Sequence, residues 1–146
     1  LKAINGGNIP IYGNGSNVRD WLFLEDYIEA LSLAIQEGRP GSSYCIGGES
    51  EKTNIQIVKA ICQIMDEESP QNHSYENLIT FVEDRPGHDQ RYAIDPSKII
   101  NELRWKPKYS FEQALKITVR WYLSNMNWCN KLKSKSNFSK KGLLQK

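Results

Sequence analysis

Two four-residue signatures constrain the fold of this chain most: Thr53 to Gln56 and Ser110 to Gln113 each place a hydroxyl three residues before a glutamine. The hydroxyl and the glutamine reciprocally satisfy two free backbone N–H groups, so both tetrapeptides mark the start of a helix. The first opens "NIQIVKAICQIMDE", with Ile57, Ile61 and Ile64/Met65 on one face. The second opens "FEQALKITVRWYLSNMNW", with Phe111, Leu115, Val119, Tyr122 and Met126 as its apolar stripe. Glu25-Asp26 offers an N-cap to "YIEALSLAIQEG", which Gly38 and Pro40 stop, and Asp95-Pro96 starts "SKIINELRW". Between them lie the β-prone runs "IPIYGNG", "VRDWLFLE", "SYCIGG" and "LITFVED". Short strands thus alternate with helices, which predicts an α/β or α+β fold without internal repeats.

At 146 residues, 39% hydrophobic and 25% charged, the chain has the size and composition of one globular domain or part of a larger one. It contains neither an apolar run of the roughly 20 residues that cross a membrane nor a signal-peptide pattern, and is read as cytoplasmic. Cys45, Cys62 and Cys129 lack disulfide or zinc spacing and are expected as free thiols, with no metal site. Charge is uneven: residues 1–130 hold 13 basic and 17 acidic side chains, whereas the last 16 residues hold six lysines and no acid. The expected organisation is a folded region over 1–130 and a lysine- and serine-rich disordered tail over 131–146. Without a run of stacking aromatics among the lysines, neither nucleic acid nor membrane is the expected partner. "LKAINGG" opens on Leu1 and reads as the last turn of a helix closing on Gly6 or Gly7, which suggests a piece of something longer.

The segment "VEDRPGHDQRYAID", Val82 to Asp95, gathers opposed charges around the Pro86-Gly87 turn. Arginine presents a planar fork that suits paired phosphate oxygens, and the turn lets a bulky anion approach Arg85 and His88. A diphosphate is one reading. The other is a solvated loop in which Glu83, Asp84 and Asp89 neutralise Arg85 and Arg91. For Arg19 of "VRDW" the corresponding choice lies between a ligand contact and an ion pair with Asp20.

Taken in order, "PIYGNGSNVRDWLFLEDYIEAL", "YCIGGESEKTN", "VEDRPGHDQRYAIDPSKI" and "ELRWKPKYSFEQALKITVRWYLSN" resemble the C-terminal half of nucleotide-sugar enzymes of the extended short-chain dehydrogenase/reductase family. The resemblance implies the C-terminal substrate-binding part of that α/β fold, lacking most of the Rossmann domain. It implies a nucleoside diphosphate sugar as ligand, with dTDP-glucose the expected one. Arg19 and Arg85 would grip the diphosphate with His88 and Asp84 nearby. Pro10, Ile11, Tyr12, Gly13, Asn14 and Gly15 would meet the nucleobase and ribose, Asn54 would add a polar contact, and Pro86 and Gly87 would shape the turn.

By the same resemblance the reaction is a 4,6-dehydration: bound NAD oxidises the sugar at C4, water leaves across C5 and C6, and the hydride returns to C6. A homodimer is expected of the full-length enzyme. No tyrosine here has a lysine four residues on, and "GGNIPIYGNG" follows a helix end rather than a strand, so catalytic and NAD contacts are expected upstream and the chain alone is expected to be inactive. Another nucleotide-sugar epimerase or decarboxylase portion, or a non-catalytic degenerate fragment, are the alternatives. The helix from Asp26 to Glu37 and part of the helix after Ser110 would then expose a surface that the nucleotide-binding domain covers.

Overall fold

The computed structural model describes residues 1–135. The chain enters through a single helical turn whose Gly7 and Gly6 N–H groups donate to Lys2 O and Ala3 O, with Gly6 left-handed at φ 65°. This is the expected glycine-closed helix end. The elements then run β1 (Ile9–Tyr12), β2 (Val18–Asp20), α1 (Leu24–Glu37), β3 (Glu51–Thr53), α2 (Asn54–Glu68), a 3-10 turn (Tyr75–Leu78), β4 (Ile79–Val82), β5 (Arg91–Tyr92), α3 (Ser97–Leu103), α4 (Phe111–Ser124) and α5 (Met126–Lys135). The mixed α/β expectation holds. Among the described residues the strands form two small sheets, β1 parallel to β4, and β3-β2-β5 with β2 antiparallel to β3 and parallel to β5.

Both capping boxes form, at Thr53 with Gln56 and at Ser110 with Gln113. They place α2 and α4 side by side around one apolar cluster, in which Cys62, Met65, Tyr75 and Val119 are buried with Ile61, Ile64 and Leu123 around them. A second cluster joins α1 and α3 through Ala30, Ile99 and Trp105, with Tyr44 and Ile46 packed against it. The sheet β3-β2-β5 links the two halves, since β2 leads into α1 and β3 into α2.

Four local expectations change in the structure, two of them by giving way to tertiary contacts. Asp26 does not cap its own helix: α1 starts at Leu24 after Phe23, and the buried Asp26 carboxylate instead accepts the N–H groups of Lys108 and Tyr109 at 3.0 and 3.4 Å. "SYCIGG" is not a strand, because Asp20 takes the N–H groups of Gly48 and Ser50 at 2.7 and 2.8 Å and holds that segment as a loop. Asp95 accepts the N–H of Ser97, so its carboxylate is used as expected, but Pro96 rather than Asp95 occupies the cap position. The last long helix divides at Asn125, whose Nδ2 donates to Trp121 O. α5 then carries helix into the segment expected to be a disordered tail, as far as Lys135. Lysine and leucine favour helix, and the buried Cys129 ties its base to the fold. The rest of that expected tail, 136–146, lies outside the described residues. No helix among the described residues is long and apolar enough to cross a membrane.

Candidate functional site

Parallel strands release their loops on the same side, and the carboxyl ends of such strands are where ligands are commonly held. Tyr12 pairs with Val82, and the Gly13 N–H donates to Val82 O at 2.9 Å, so the loop Gly13 to Gly15 and the turn from Glu83 to His88 leave β1 and β4 together. Two glycines are required for this. Gly13 has φ 57°, and a Cβ there would stand 3.1 Å from the Asp84 carboxylate. Gly15 has φ 73°, and its Cβ would meet Ile11 Cγ2 at 2.8 Å.

Asp84 organises the turn. Its Oδ1 accepts the Arg85 N–H at 2.8 Å and bonds His88 Nδ1 at 2.7 Å, and the bond to His88 is the main reason its carboxyl is held below the ordinary range. The His88 side chain is only 7% exposed and lies edge to face with Tyr12. Tyr12, Gly13, Asp84 and His88 are therefore one assembly, with Pro86 and Gly87 at its exposed outer tip.

Arg19 reaches the same region from β2. It is half-buried, its Nη1 donates to Val18 O at 2.6 Å and its Nη2 to Asp89 O at 3.0 Å, and its guanidinium lies 4.6 Å from the centre of the Tyr92 ring. Asn17, buried, donates to the same Asp89 carbonyl at 3.2 Å. The Tyr92 hydroxyl donates to the Asp89 carboxylate. That bond is the main cause that raises the phenol's pKa, while Arg19 and Arg85 both act in the opposite direction. Both cations thus lie within electrostatic reach of one ring.

Neither arginine forms a salt bridge with a carboxylate among the described residues. Asp20 is occupied by the loop at Gly48 rather than by Arg19. Arg91, by contrast, is held bidentately by Glu51, with both bonds at 2.6 Å, which keeps the Glu51 carboxyl below its usual range. Arg91 is thus neutralised as the solvated-loop reading expects, although by a different acid, whereas Arg85 is exposed with no salt bridge among the described residues.

The remaining expected residues divide. Tyr12 and Gly13 sit at the assembly, and Pro10 is exposed on β1. Ile11 is buried beneath Gly15, and Asn14 closes the loop on itself by accepting the Ser16 N–H. Asn54 begins α2 on the inner side of the loop. Its N–H donates to Asn17 O, the Ile55 N–H to Gly15 O and the Gln56 N–H to Thr53 Oγ1. With those donors engaged, the start of α2 is a brace for the loop and not a phosphate cradle. Sequence reasoning missed Asn17 and Tyr92 and cast Asp89 only as a neutralising acid, because the contacts of Asn17, Tyr92 and the Asp89 carbonyl with Arg19 and its neighbours join segments far apart in sequence.

A separate cavity of about 720 Å³, lined by Trp21, Phe23, Tyr109, Phe111, Trp121 and Trp128 among others, contains none of the thirteen expected residues. It is apolar and aromatic where the β1–β4 end is charged. Among the described residues no group of acids, histidines and cysteines could hold a metal ion.

Residues 2–118 match the family described as GDP-mannose 4,6 dehydratase. The dTDP-glucose 4,6-dehydratase of Shigella flexneri is 51% identical over 134 residues, 92% of this chain but 37% of that protein. Among solved structures, the dTDP-glucose 4,6-dehydratase of Bacillus anthracis in complex with NAD superposes with a TM-score of 0.78 at 42% identity, over 90% of this chain and 39% of that one. The Streptomyces venezuelae dTDP-glucose 4,6-dehydratase, with NAD and TDP bound, gives a TM-score of 0.76 at 37% identity, over 87% of this chain and 37% of that one. The chain thus spans under two fifths of these relatives' length and corresponds to their C-terminal portion.

Proposed function

The chain belongs to the GDP-mannose 4,6 dehydratase family, and from that premise we propose that it is the substrate-binding portion of a dTDP-glucose 4,6-dehydratase, with Arg19 and Arg85 holding the diphosphate of dTDP-glucose. The observation that carries this reading is the pair of arginines, Arg19 on β2 and Arg85 in the turn after β4, neither of which forms a salt bridge with a carboxylate among the described residues. Guanidinium groups in that condition favour a doubly charged anion by charge-assisted hydrogen bonds. His88, fixed by Asp84, closes the same end of the sheet, and the Tyr12 to Gly15 loop offers backbone groups and a ring to the thymidine. Asp84 Oδ1 is engaged by the Arg85 N–H and by His88 Nδ1, which orients the carboxylate toward the turn.

In such an enzyme NAD supplies oxidation at C4 and returns the hydride at C6. The residues here do not fit that cofactor. The Gly13 to Gly15 loop runs from one strand to another, not from a strand into a helix, and the α2 N-terminus beside it is already engaged. We place the nicotinamide and the proton-transfer groups in the larger part of a dehydratase that this chain's 37% does not include. The apolar cavity and the outer face of α1 are assigned to contact with that part. The chain binds and orients the nucleotide; it does not by itself turn over the sugar.

The test is an NMR titration of the ¹⁵N-labelled chain with dTDP, dTDP-glucose and UDP-glucose, which measures affinities into the millimolar range. Shifts centred on residues 12–15 and 84–89, and an affinity about tenfold weaker for Arg19→Ala or Arg85→Ala, are expected. Preference for UDP-glucose would move the assignment to a different nucleotide-sugar enzyme. Turnover of dTDP-glucose by the chain alone would overturn the division of labour proposed here.

A further inference from the structure

Arg19 is not held by an acid but by a ring and two carbonyls. β2 and β5 run parallel with Arg19 opposite Tyr92, so the guanidinium and the phenol meet as a cross-strand pair, 4.6 Å from charge to ring centre. The ring is itself fixed at its far end, where its hydroxyl donates to the Asp89 carboxylate. The Asp89 carbonyl, from the same residue, accepts from Arg19 Nη2 and from the buried Asn17. Tyr92 and Asp89 together thus define one plane and one edge for the guanidinium.

Resting on the diphosphate reading of Arg19, we propose that Tyr92, pinned by Asp89, is a positioning residue that holds the Arg19 guanidinium in place for the nucleotide diphosphate. The physical reason is the choice of partner. A carboxylate at this point would fix Arg19 equally well but would also compete with the phosphates for its donors and cancel its charge. An aromatic face attracts the cation through its quadrupole and leaves the in-plane N–H groups available. Two of those donors are already directed to Val18 O and Asp89 O, which leaves the rest of the fork for an incoming anion. Tyr92 is therefore not a ligand contact. It reduces the freedom that Arg19 would otherwise lose on binding, and preorganisation of this kind strengthens affinity without a new contact.

The experiment is a double-mutant cycle read by dTDP affinity in the ¹⁵N NMR titration of the full chain. Tyr92→Leu is expected to weaken dTDP binding about fivefold in the native background and not at all when Arg19→Ala is already present. Tyr92→Phe retains the ring face but not the bond to Asp89, and is expected to weaken it less than Tyr92→Leu. An equal loss from Tyr92→Leu in both backgrounds would overturn the proposal, because the ring would then act through general structure. No loss from Tyr92→Leu while Arg19→Ala weakens binding would overturn it and leave the diphosphate role of Arg19 standing. If Arg19→Ala itself leaves dTDP affinity unchanged, the underlying reading fails, and the two failures are told apart by that variant. Tyr92 is 54% exposed, so both of its variants retain the buried clusters, and a thermal midpoint within a few degrees of the parent chain checks this.

Discussion

α1 and α2 are helices of almost equal length, 14 and 15 residues, and they are attached to the molecule in opposite ways. α2 is capped by its own sequence and buries one face through Ile57, Cys62 and Met65. It also offers Glu67 and Glu68 to Lys116 and Arg120 of α4. α1 has no side-chain cap, buries Asp26 and Ala30, and leaves Leu24, Ile28, Leu31 and Ile35 exposed along one line of its surface. An amphipathic helix ordinarily turns such a line inward. The difference teaches that apolar content in a helix does not say which of its faces the chain itself will cover. Only α2 has its apolar residues arranged around what this chain supplies.

The largest effect that can test this contrast is Met65→Ala. Met65 is 2% exposed at the centre of the α2 cluster, and its truncation is expected to cost about 2–5 kcal/mol in urea unfolding. A cost under about 1 kcal/mol would mean that this cluster is loosely packed and the contrast false. Asp26→Ala comes next, at about 1–3 kcal/mol, since it leaves the Lys108 and Tyr109 N–H groups without their acceptor. Asp26 is α1's buried polar attachment, so a null result would show that the helix is held by the Ala30 cluster and by its exposed contacts to Lys108 and Tyr109.

Ile35→Lys is expected to change stability by no more than about 0.5 kcal/mol, because Ile35 is 77% exposed, and to reduce binding of a hydrophobic dye. A larger loss would show that the outer face of α1 is covered in solution. The smallest effect concerns the paired acids. The Glu51 and Glu68 carboxyls are held low, chiefly by hydrogen bonds to Arg91 and Arg120. Their contribution is therefore full above the ordinary carboxylate value of 4.5 and is lost as pH falls through the lowered one. Both pairs are exposed, so the urea midpoint is expected to drop only slightly between pH 6 and pH 3 from this cause, and less in high salt.

What the sequence made legible was local. The boxes at Thr53 and Ser110 need only three residues of context, and both helix starts follow from them. The turn at Pro86-Gly87 and the glycines of the first loop were readable for the same reason. Asp26 and Asp20 were not, because each carboxylate serves backbone N–H groups from a distant segment, and a side chain so engaged is lost to the local rule that would claim it. The site was legible only by resemblance. Nothing within "VRDW" says that Arg19 faces the Tyr92 ring, which depends on β2 lying parallel to β5. Tyr92 was hidden for the same reason, since its partner stands opposite it on another strand.

The bond from Gly13 to Val82 also bears on how the molecule comes into being. Everything that bounds the charged end of the β1–β4 sheet must wait until two segments far apart in sequence have found each other, and closing so long a loop is entropically slow. The capped helices can form within their own stretches of chain well before that. The charged end is then among the last parts to assemble, so a nascent or refolding chain carries its helices before it has a place for any nucleotide.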